Sequence, residues 1–168
     1  MAEYVAVDAF KAIADALSSA GVRYMVVGGL AMQAHGSDRV TYDVDLVVQL
    51  EAENVLRAFA ALSQAGYRPS VPVLAEQFAD STRREQLRAE KGMVVLNFWS
   101  DRYRATPLDI FVTEPFDFEL EYSLALRDTS FEGIELCFPR AETLLAMKKL
   151  ASRPKDQHDI AYLEALLG

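Results

Sequence analysis

The stretch YDVDLVV, residues 42–48, places two aspartates, Asp43 and Asp45, in a run that is otherwise hydrophobic. Alternate residues of a strand point to the same face, so the sequence predicts the two carboxylates side by side and Val44 and Leu46 facing the other way. Two like charges in a partly buried place stay ionised only if a cation or strong hydrogen-bond donors compensate them. A divalent metal is the usual compensation, and Mg²⁺ prefers carboxylate oxygens together with substrate phosphates and water. The alternative is a solvated strand end that the acids merely cap.

Asp109 repeats this pattern farther along the chain. It interrupts the hydrophobic stretch PLDIFV, in which Leu108 and Ile110 are expected to face the core. Three aspartates from two strands would suffice for two metal ions, one activating an attacking hydroxyl and the other holding the leaving phosphates. As the ligand nearest the attacking group, Asp109 would also accept its proton. Taken alone, however, Asp109 is equally consistent with an acid that has no chemical role.

The turn VVGG, residues 26–29, is a candidate for holding phosphate. Glycines let the backbone approach a ligand closely, and the N-terminus of the helix expected after Gly28 and Gly29 presents free N–H groups that favour anions. The alternative is a tight turn between a strand and a helix with no ligand. Because the turn precedes Asp43 by one short helix and a loop, the glycines and the aspartates are predicted to meet in one cleft.

The elements that must position these residues follow from periodicity and from glycine and proline breaks. Helices are predicted over residues 3–20, 30–36, 51–66, 141–152 and 155–167, and strands over 22–27, 42–48, 93–99 and 108–112. A hairpin is predicted over 129–138 with its turn at Glu132 and Gly133. The last two helices are separated at Arg153 and Pro154, where proline disfavours continuation of the first. The prediction is an α+β fold, with a mixed sheet of at least four strands flanked by helices and closed by two C-terminal helices.

Composition narrows the class of protein. The chain has 168 residues, of which 51% are hydrophobic, and this predicts one globular domain over residues 1–168. No run approaches the twenty or so apolar residues of a membrane span, and the acidic N-terminus lacks a basic signal region, so we expect a cytoplasmic protein. A formal net charge of −8 argues against a broad, sequence-independent grip on DNA or RNA.

Taken together, VVGG, DVD and LDI resemble the DNA polymerase β-like nucleotidyltransferase superfamily. Its members carry a strand ending in Gly-Gly or Gly-Ser, then a DxD pair, then one more aspartate. The segment LLAMKKLASRPKDQHDI, residues 144–160, is similar to the Lys, Arg, Lys-Asp and Asp pattern of small bacterial members such as the AbiEii-type toxins of toxin–antitoxin and phage-defence systems. The resemblance covers roughly residues 22–163. It implies a mixed sheet with helices packed around it, in agreement with the independent prediction of elements.

The resemblance also implies an activity and a set of roles. The activity is Mg²⁺-dependent transfer of a nucleoside monophosphate from an NTP such as ATP to a hydroxyl acceptor, which would be a tRNA end, a protein side chain or a small molecule. Catalysis and two-metal binding fall to Asp43, Asp45 and Asp109, with Asp109 as the base, and nucleotide binding falls to Gly28, Gly29, Arg39 and Lys148. A protein partner or a second copy of the chain would complete the cleft.

Several alternatives stay open at the level of sequence. Many active members have serine where this chain has Gly29. This difference keeps open a catalytically weak or inactive nucleotide-binding or antitoxin-like protein on the same scaffold. A metal-dependent phosphohydrolase would explain the acids but not the glycine turn.

The cations of the closing segment and one aromatic neighbourhood also allow more than one interpretation. The cations are either part of the site, a solvated face, or partners in ordinary ion pairs with Asp156 and Asp159; they are Lys148, Lys149, Arg153 and Lys155. The neighbourhood of Trp99 and Tyr103, with Arg102 and Arg104, is predicted either to stack a base or an acceptor or to belong to the core.

Overall fold

A five-stranded mixed sheet forms the centre of the protein, in a computed structural model that describes residues 5–168. The strand order is β1-β2-β5-β4-β3, and a separate two-stranded sheet pairs β6 with β7. β2 and β5 run parallel, and every other neighbouring pair is antiparallel. The strands are β1 Tyr24–Val27, β2 Val44–Val48, β3 Arg68–Pro69, β4 Val95–Trp99, β5 Leu108–Phe111, β6 Leu126–Asp128 and β7 Leu136–Phe138. The predicted mixed α+β architecture is therefore confirmed.

Eight α-helices surround the sheets within the described part of the chain. They are α1 Val7–Ser19, α2 Gly28–Ala34, α3 Ala52–Gln64, α4 Ala75–Ala79, α5 Ser81–Lys91, α6 Phe118–Ser123, α7 Ala141–Ala151 and α8 Gln157–Leu167. A single turn of 3₁₀ helix over Pro154–Asp156 separates α7 from α8, at the predicted break. The predicted start of the first helix at Glu3 lies outside the described residues. No helix within residues 5–168 is long and apolar enough to cross a membrane.

The two faces of the sheet are covered unequally. One face, called here the core face, carries Val26, Leu46, Leu96 and Ile110 and packs against α1 and α3, whose apolar residues recur at helical spacing. On the opposite face a smaller cluster gathers around Met25, Val27, Val47, Phe118 and Cys137, next to α6 and β7. That cluster covers the β1 side of the sheet. On β4, Leu96 and Phe98 are buried on the core face, whereas Trp99 is exposed and Asn97 half-buried on the other.

The structure also differs from the predicted elements in several places. The hairpin turn lies at Glu132 and Gly133 as predicted, with φ angles of 55° and 75°. The first hairpin strand, however, ends at Asp128, because the carboxylate of Asp128 accepts a hydrogen bond of 2.7 Å from the backbone N–H of Ser130 and turns the chain there.

Four elements were absent from the prediction: β3, α4, α5 and α6. The sequence of α5, STRREQLRAEK, has no apolar stripe, and its only buried side chain is Arg84. Caps define this helix instead. The side chain of Asp80 accepts a bond from the backbone N–H of Arg83 at its start, and Gly92, with φ 61°, ends it.

Candidate active site

Polar side chains form one row across three adjacent strands of the sheet, β2, β5 and β4. Asp45 on β2 lies directly opposite Val27 on β1 and Asp109 on β5, and Asp109 in turn lies opposite Asn97 on β4. Their strand neighbours Leu46, Ile110 and Leu96 belong to the core face, so the row stands on the other face, called here the acid face. The prediction that Val44 and Leu46 point away from the carboxylates is confirmed, since both are buried in the core cluster.

The three aspartates affect one another electrostatically. Asp43 is half-buried immediately before β2, two residues from Asp45. Burial, and then the charges of Asp109 and Asp43, raise the pKa of the Asp45 carboxyl to about 6. Burial likewise raises the pKa of Asp109, and the charge of Asp43 adds to the increase. The structure thus places together the three acids that the sequence singled out, in a region with too little positive charge to balance them.

Asn97 holds the third aspartate from the neighbouring strand. Its side-chain amide donates a hydrogen bond of 2.9 Å from Nδ2 to Oδ1 of Asp109, which acts to lower the pKa of that carboxyl. The amide oxygen of Asn97 accepts a bond from the hydroxyl of Ser70, and the backbone N–H of Ser70 donates to the Asn97 carbonyl at 2.8 Å. Neither residue was predicted from the sequence, although Asn97 interrupts the hydrophobic stretch VLNFW much as Asp109 interrupts its own strand.

Positions 28 and 29 require glycine because neighbouring side chains come too close to leave room for a Cβ atom. Gly28 begins α2 with φ 66°, and a Cβ added there would lie 2.2 Å from Oδ2 of Asp45. A Cβ on Gly29 would lie 2.4 Å from Cβ and 2.5 Å from the hydroxyl oxygen of Thr41. Side chains are excluded at both positions, so the backbone at Gly28 lies against the carboxylate of Asp45.

A buried ion network joins the loop before β2 to the closing helices. Lys148 on α7 contacts Asp159 on α8 at 2.9 Å and Asp156 at 3.5 Å, and the side chains of these three residues are no more than 9% exposed. Asp159 also accepts a bond from the guanidinium of Arg39. Arg153 donates to both carboxylate oxygens of Asp156, at 2.7 and 3.1 Å. Burial opposes ionisation of Asp156, but the bonds from Arg153 and the charge of Lys148 keep its pKa below the usual value.

This network changes the interpretation of the closing cations. Lys148 pairs with Asp156 and Asp159 at a buried position, so the alternative of a solvated face does not apply to it. Arg153 pairs with Asp156 alone, and its own side chain stays exposed. Lys149 pairs instead with Glu164 on the exposed surface, at 2.9 Å. Lys155 is exposed and has no ion-pair partner among residues 5–168, and its charge acts to lower the pKa of both Asp45 and Asp109.

The donor set on the acid face suits a magnesium ion in its chemistry. Within residues 5–168, no three carboxylate, imidazole or thiol groups already converge as the complete ligand set of one ion. Mg²⁺ in nucleotide-dependent proteins is usually held by one or two carboxylates and completed by substrate phosphates and water. Asp45 and Asp109 lie directly opposite each other on β2 and β5, and burial, with the neighbouring carboxylate charges adding to it, raises the pKa of each, so a cation there would stabilise their ionised forms. The residues therefore fit the metal, with Asp43 as the third candidate ligand.

A sequence model described as the nucleotidyl transferase AbiEii toxin of type IV toxin–antitoxin systems matches residues 12–166. The chain belongs to this family. The match covers both the glycine turn and the aspartates of the acid row as well as the closing segment, and it makes the protein a nucleotidyltransferase of the AbiEii type. No curated protein sequence matches the chain.

Two solved structures share the fold. The lincosamide antibiotic adenylyltransferase LnuA, bound to lincomycin, superposes with a TM-score of 0.62 at 14% identity, over 97% of this chain and 99% of that one. An antigenic nucleotidyltransferase-like protein from Paracoccidioides brasiliensis superposes with a TM-score of 0.55 at 17% identity, over 95% of this chain and 76% of that one. At these identities the similarity is one of fold.

Proposed function

We propose that this AbiEii-family protein transfers a nucleoside monophosphate from an NTP, such as ATP, to a hydroxyl acceptor in a Mg²⁺-dependent reaction. One observation supports this most strongly. Asp45 and Asp109 lie directly opposite each other on adjacent parallel strands, while the backbone of Gly28 lies against the carboxylate of Asp45. Carboxylates for a metal and a backbone open to phosphate are thereby next to each other, as phosphoryl transfer requires.

The aspartates divide the work in this proposal. Asp45 and Asp43 hold the metal and so position the α-phosphate, and Asp109 completes the ligand set. When bound, Mg²⁺ would neutralise charge at the phosphates and so lower the activation free energy of the in-line displacement. Asp109 also accepts the proton of the attacking hydroxyl, a role that suits a carboxyl whose pKa burial raises above the usual range. Asn97 keeps one Asp109 oxygen engaged, which leaves the other for the ligand.

The phosphates are held mainly by backbone groups and by the closing cations. Gly28 offers its backbone beside the metal ligands, and Gly29 adds backbone without a hydroxyl because Thr41 fills the space that a serine side chain needs. Lys155 is exposed, and its positive charge acts to lower the pKa of both Asp45 and Asp109. We therefore assign Lys155 the role of binding the leaving pyrophosphate. Arg39, whose side chain is partly exposed and held by Asp159, contacts the nucleotide in this proposal. Lys148 is buried between Asp156 and Asp159, so it contributes to nucleotide binding by fixing Asp159 and, through it, Arg39.

The acceptor and the setting are the least constrained parts of the proposal. The type IV toxin–antitoxin assignment of the family supports a toxin role with a protein partner, in the cytoplasm where NTPs are available. The acceptor hydroxyl belongs to a tRNA end, a protein side chain or a small molecule. A net charge of −8 favours a small or locally docked acceptor over a long nucleic acid.

A labelling experiment tests the proposal. The protein is incubated with each α-labelled NTP, Mg²⁺ and a cell extract, next to Asp45→Asn and a control, Glu85→Gln, on the exposed surface of α5. We expect wild type and Glu85→Gln to transfer label to one class of acceptor and Asp45→Asn to lose at least about a hundredfold, since metal-ligand and electrostatic groups contribute on that scale.

Two results would change the proposal in different ways. NTP binding by thermal shift without any transfer would identify the protein as the catalytically inactive, nucleotide-binding alternative. Equal labelling by wild type and Asp45→Asn would show that the acid row is not the active site.

A further inference from the structure

The acid face continues past Asn97 to the one tryptophan of the chain. Trp99 follows Asn97 by two residues on β4, so the two side chains share a face, and Phe98 between them is buried on the core face against Phe59. At the strand rise and spacing of a β-sheet, the Cα atoms of Trp99 and Asp109 lie roughly 8 Å apart. The indole is therefore a near neighbour of the acid row.

Trp99 is accessible and its ring is supported from one side. The residue is 37% exposed, which is unusual for the largest aromatic side chain of a small domain. Arg68, its partner across β3 and β4, places its guanidinium 4.2 Å from the ring centroid and is itself held by Asp101 at 2.9 Å. Such a cation–π contact fixes the orientation of the indole without burying it.

Tyr103, the other aromatic residue of the predicted neighbourhood, does not lie on the acid face with Trp99. Tyr103 stacks on Tyr67 at 6.0 Å between ring centroids, and Tyr67 is buried in the core cluster, where its hydroxyl donates to the carbonyl of Thr106. Tyr103 is therefore accounted for by packing on the core face. Within residues 5–168, Trp99 belongs to neither of the two hydrophobic clusters.

The order of groups across the sheet assigns a place to each part of a nucleotide. Gly28 lies on the β1 side of Asp45, and Asp109 lies between Asp45 and β4, where Trp99 stands. With the leaving phosphates at Gly28 and the reacting phosphorus at the aspartates, the nucleoside or the acceptor extends toward β4. The distance from the acids to Trp99 is comparable to the reach from an α-phosphate to its base.

We propose that Trp99, braced by Arg68, is a stacking platform for a nucleobase, a planar aromatic heterocycle that belongs either to the donor NTP or to an acceptor nucleotide. The inference rests on the proposed function, because that function sets the direction in which the substrate lies. Every base has a π face, so stacking on a single indole gives affinity with little discrimination among bases.

Trp99 is its own reporter, because it is the only tryptophan in the sequence. Its emission is recorded while Mg²⁺ with each NTP, Mg²⁺ with tripolyphosphate, or a short single-stranded RNA is added to the full chain. If the base of the donor NTP stacks on Trp99, NTPs should quench the Trp99 emission saturably. Tripolyphosphate should not quench it, although it should displace the bound NTP. An acceptor base gives quenching by the RNA and none by NTPs.

Variants give a second readout that does not depend on fluorescence. Trp99→Ala is expected to weaken binding of the base-bearing substrate about tenfold or more, with binding of tripolyphosphate unchanged, while Trp99→Phe retains most of the affinity. Val94→Ala, which removes another exposed apolar side chain just before β4, is the matched control and should change neither. If Trp99→Ala also lost tripolyphosphate binding, the substitution would have damaged the whole site. The affinity of Trp99→Phe for the base-bearing substrate would then be compared with that of wild type instead.

The failures can be told apart. If NTPs and tripolyphosphate compete for the protein but neither NTPs nor RNA change Trp99 emission, the platform is wrong and the proposed function stands. If no NTP binds by equilibrium dialysis, both the platform and the proposed function are overturned.

Discussion

The side-chain amide of Asn97 donates to Oδ1 of Asp109 across β4 and β5, and the hydroxyl of Ser70 fixes the orientation of that amide. Burial raises the pKa of Asp109, and this bond opposes the increase. Asn97 is therefore a positioning residue that acts through Asp109 and affects both the direction and the ionisation of the proposed base.

We expect Asn97→Ala to move the acid limb of the activity profile to higher pH. A hydrogen bond to a charged group at a half-buried site contributes roughly 1 kcal/mol, which corresponds to a displacement of about half to one pH unit. The measurement is kcat/KM as a function of pH. Ser70→Ala should displace the profile in the same direction by less, and an unchanged profile in both variants would contradict the positioning role.

Asp45 should make the metal-free protein less stable as pH rises. Its pKa is raised to about 6 from an ordinary value of 3.8, so the folded state binds more protons than the unfolded state between these values. Stability is therefore lost as pH increases from about 4 to about 6 and stays reduced above it, by an amount on the order of 3 kcal/mol.

Thermal unfolding in a chelator checks this sign. Relative to Asp45→Asn, wild type should lose stability between pH 4.5 and 7.5, and Mg²⁺ at pH 7.5 should raise the Tm of wild type more than that of the variant. A Tm difference between wild type and Asp45→Asn that does not change with pH would show that Asp45 is already compensated within the folded chain.

Restoring the serine that many relatives carry should harm this protein. Gly29→Ser would place Cβ 2.4 Å from Cβ of Thr41, so one of the two segments has to move. We expect a loss of about 1–3 kcal/mol of stability, the usual scale of overpacking, together with lower activity.

A double-mutant cycle isolates the cause. In a Thr41→Gly background the obstructing atoms are gone, so Gly29→Ser should cost little there, although Thr41→Gly alone is destabilising. If the serine costs the same in both backgrounds, contact with Thr41 is not the reason for glycine.

The buried ion network should matter far more than its neighbour on the surface. Asp159→Asn leaves Lys148 and Arg39 without their shared carboxylate at a position where Lys148 is 7% exposed. Breaking a buried pair from one side typically costs about 3–5 kcal/mol, whereas an exposed pair contributes about 1 kcal/mol at most.

Glu164→Gln is the matched control for this comparison. It removes the exposed partner of Lys149, the residue next to Lys148, and should change the unfolding free energy by less than about 1 kcal/mol. Urea unfolding of both variants makes the comparison. Similar losses of unfolding free energy in the two variants would indicate that the ion pairs of Asp159 contribute no more than an exposed ion pair does.

The sequence alone indicated those residues of the candidate site that are unusual for their local surroundings. Asp43, Asp45 and Asp109 are charges in hydrophobic strands, and the structure brings all three together. Asn97 was missed because an amide in a half-buried strand is an ordinary residue until its cross-strand partner is known. The pairing of Lys148 with Asp159 was one of the alternatives, but its burial was not predicted, because the packing of α7 against α8 decides whether a cation faces water.

The same limit applies to the fold. The helices α1 and α3 carry regular apolar stripes and were predicted within a few residues. The helix α5 carries none, and its caps at Asp80 and Gly92 are too common in sequences to indicate a helix by themselves. Local patterns thus locate elements that bury a face, and they miss elements that contribute mainly surface.

The bond between Arg39 and Asp159 joins residues 120 positions apart, and it has a consequence for the order in which the protein forms. During synthesis, β1 and β2 are made first, the acid row can be complete only after β5 has joined β2, and the cation network can close only after α8 has been made. In the proposed enzyme, a chain whose synthesis has not yet reached α8 therefore has its metal ligands but no anchored phosphate contacts, and nucleotide transfer waits until α8 has docked.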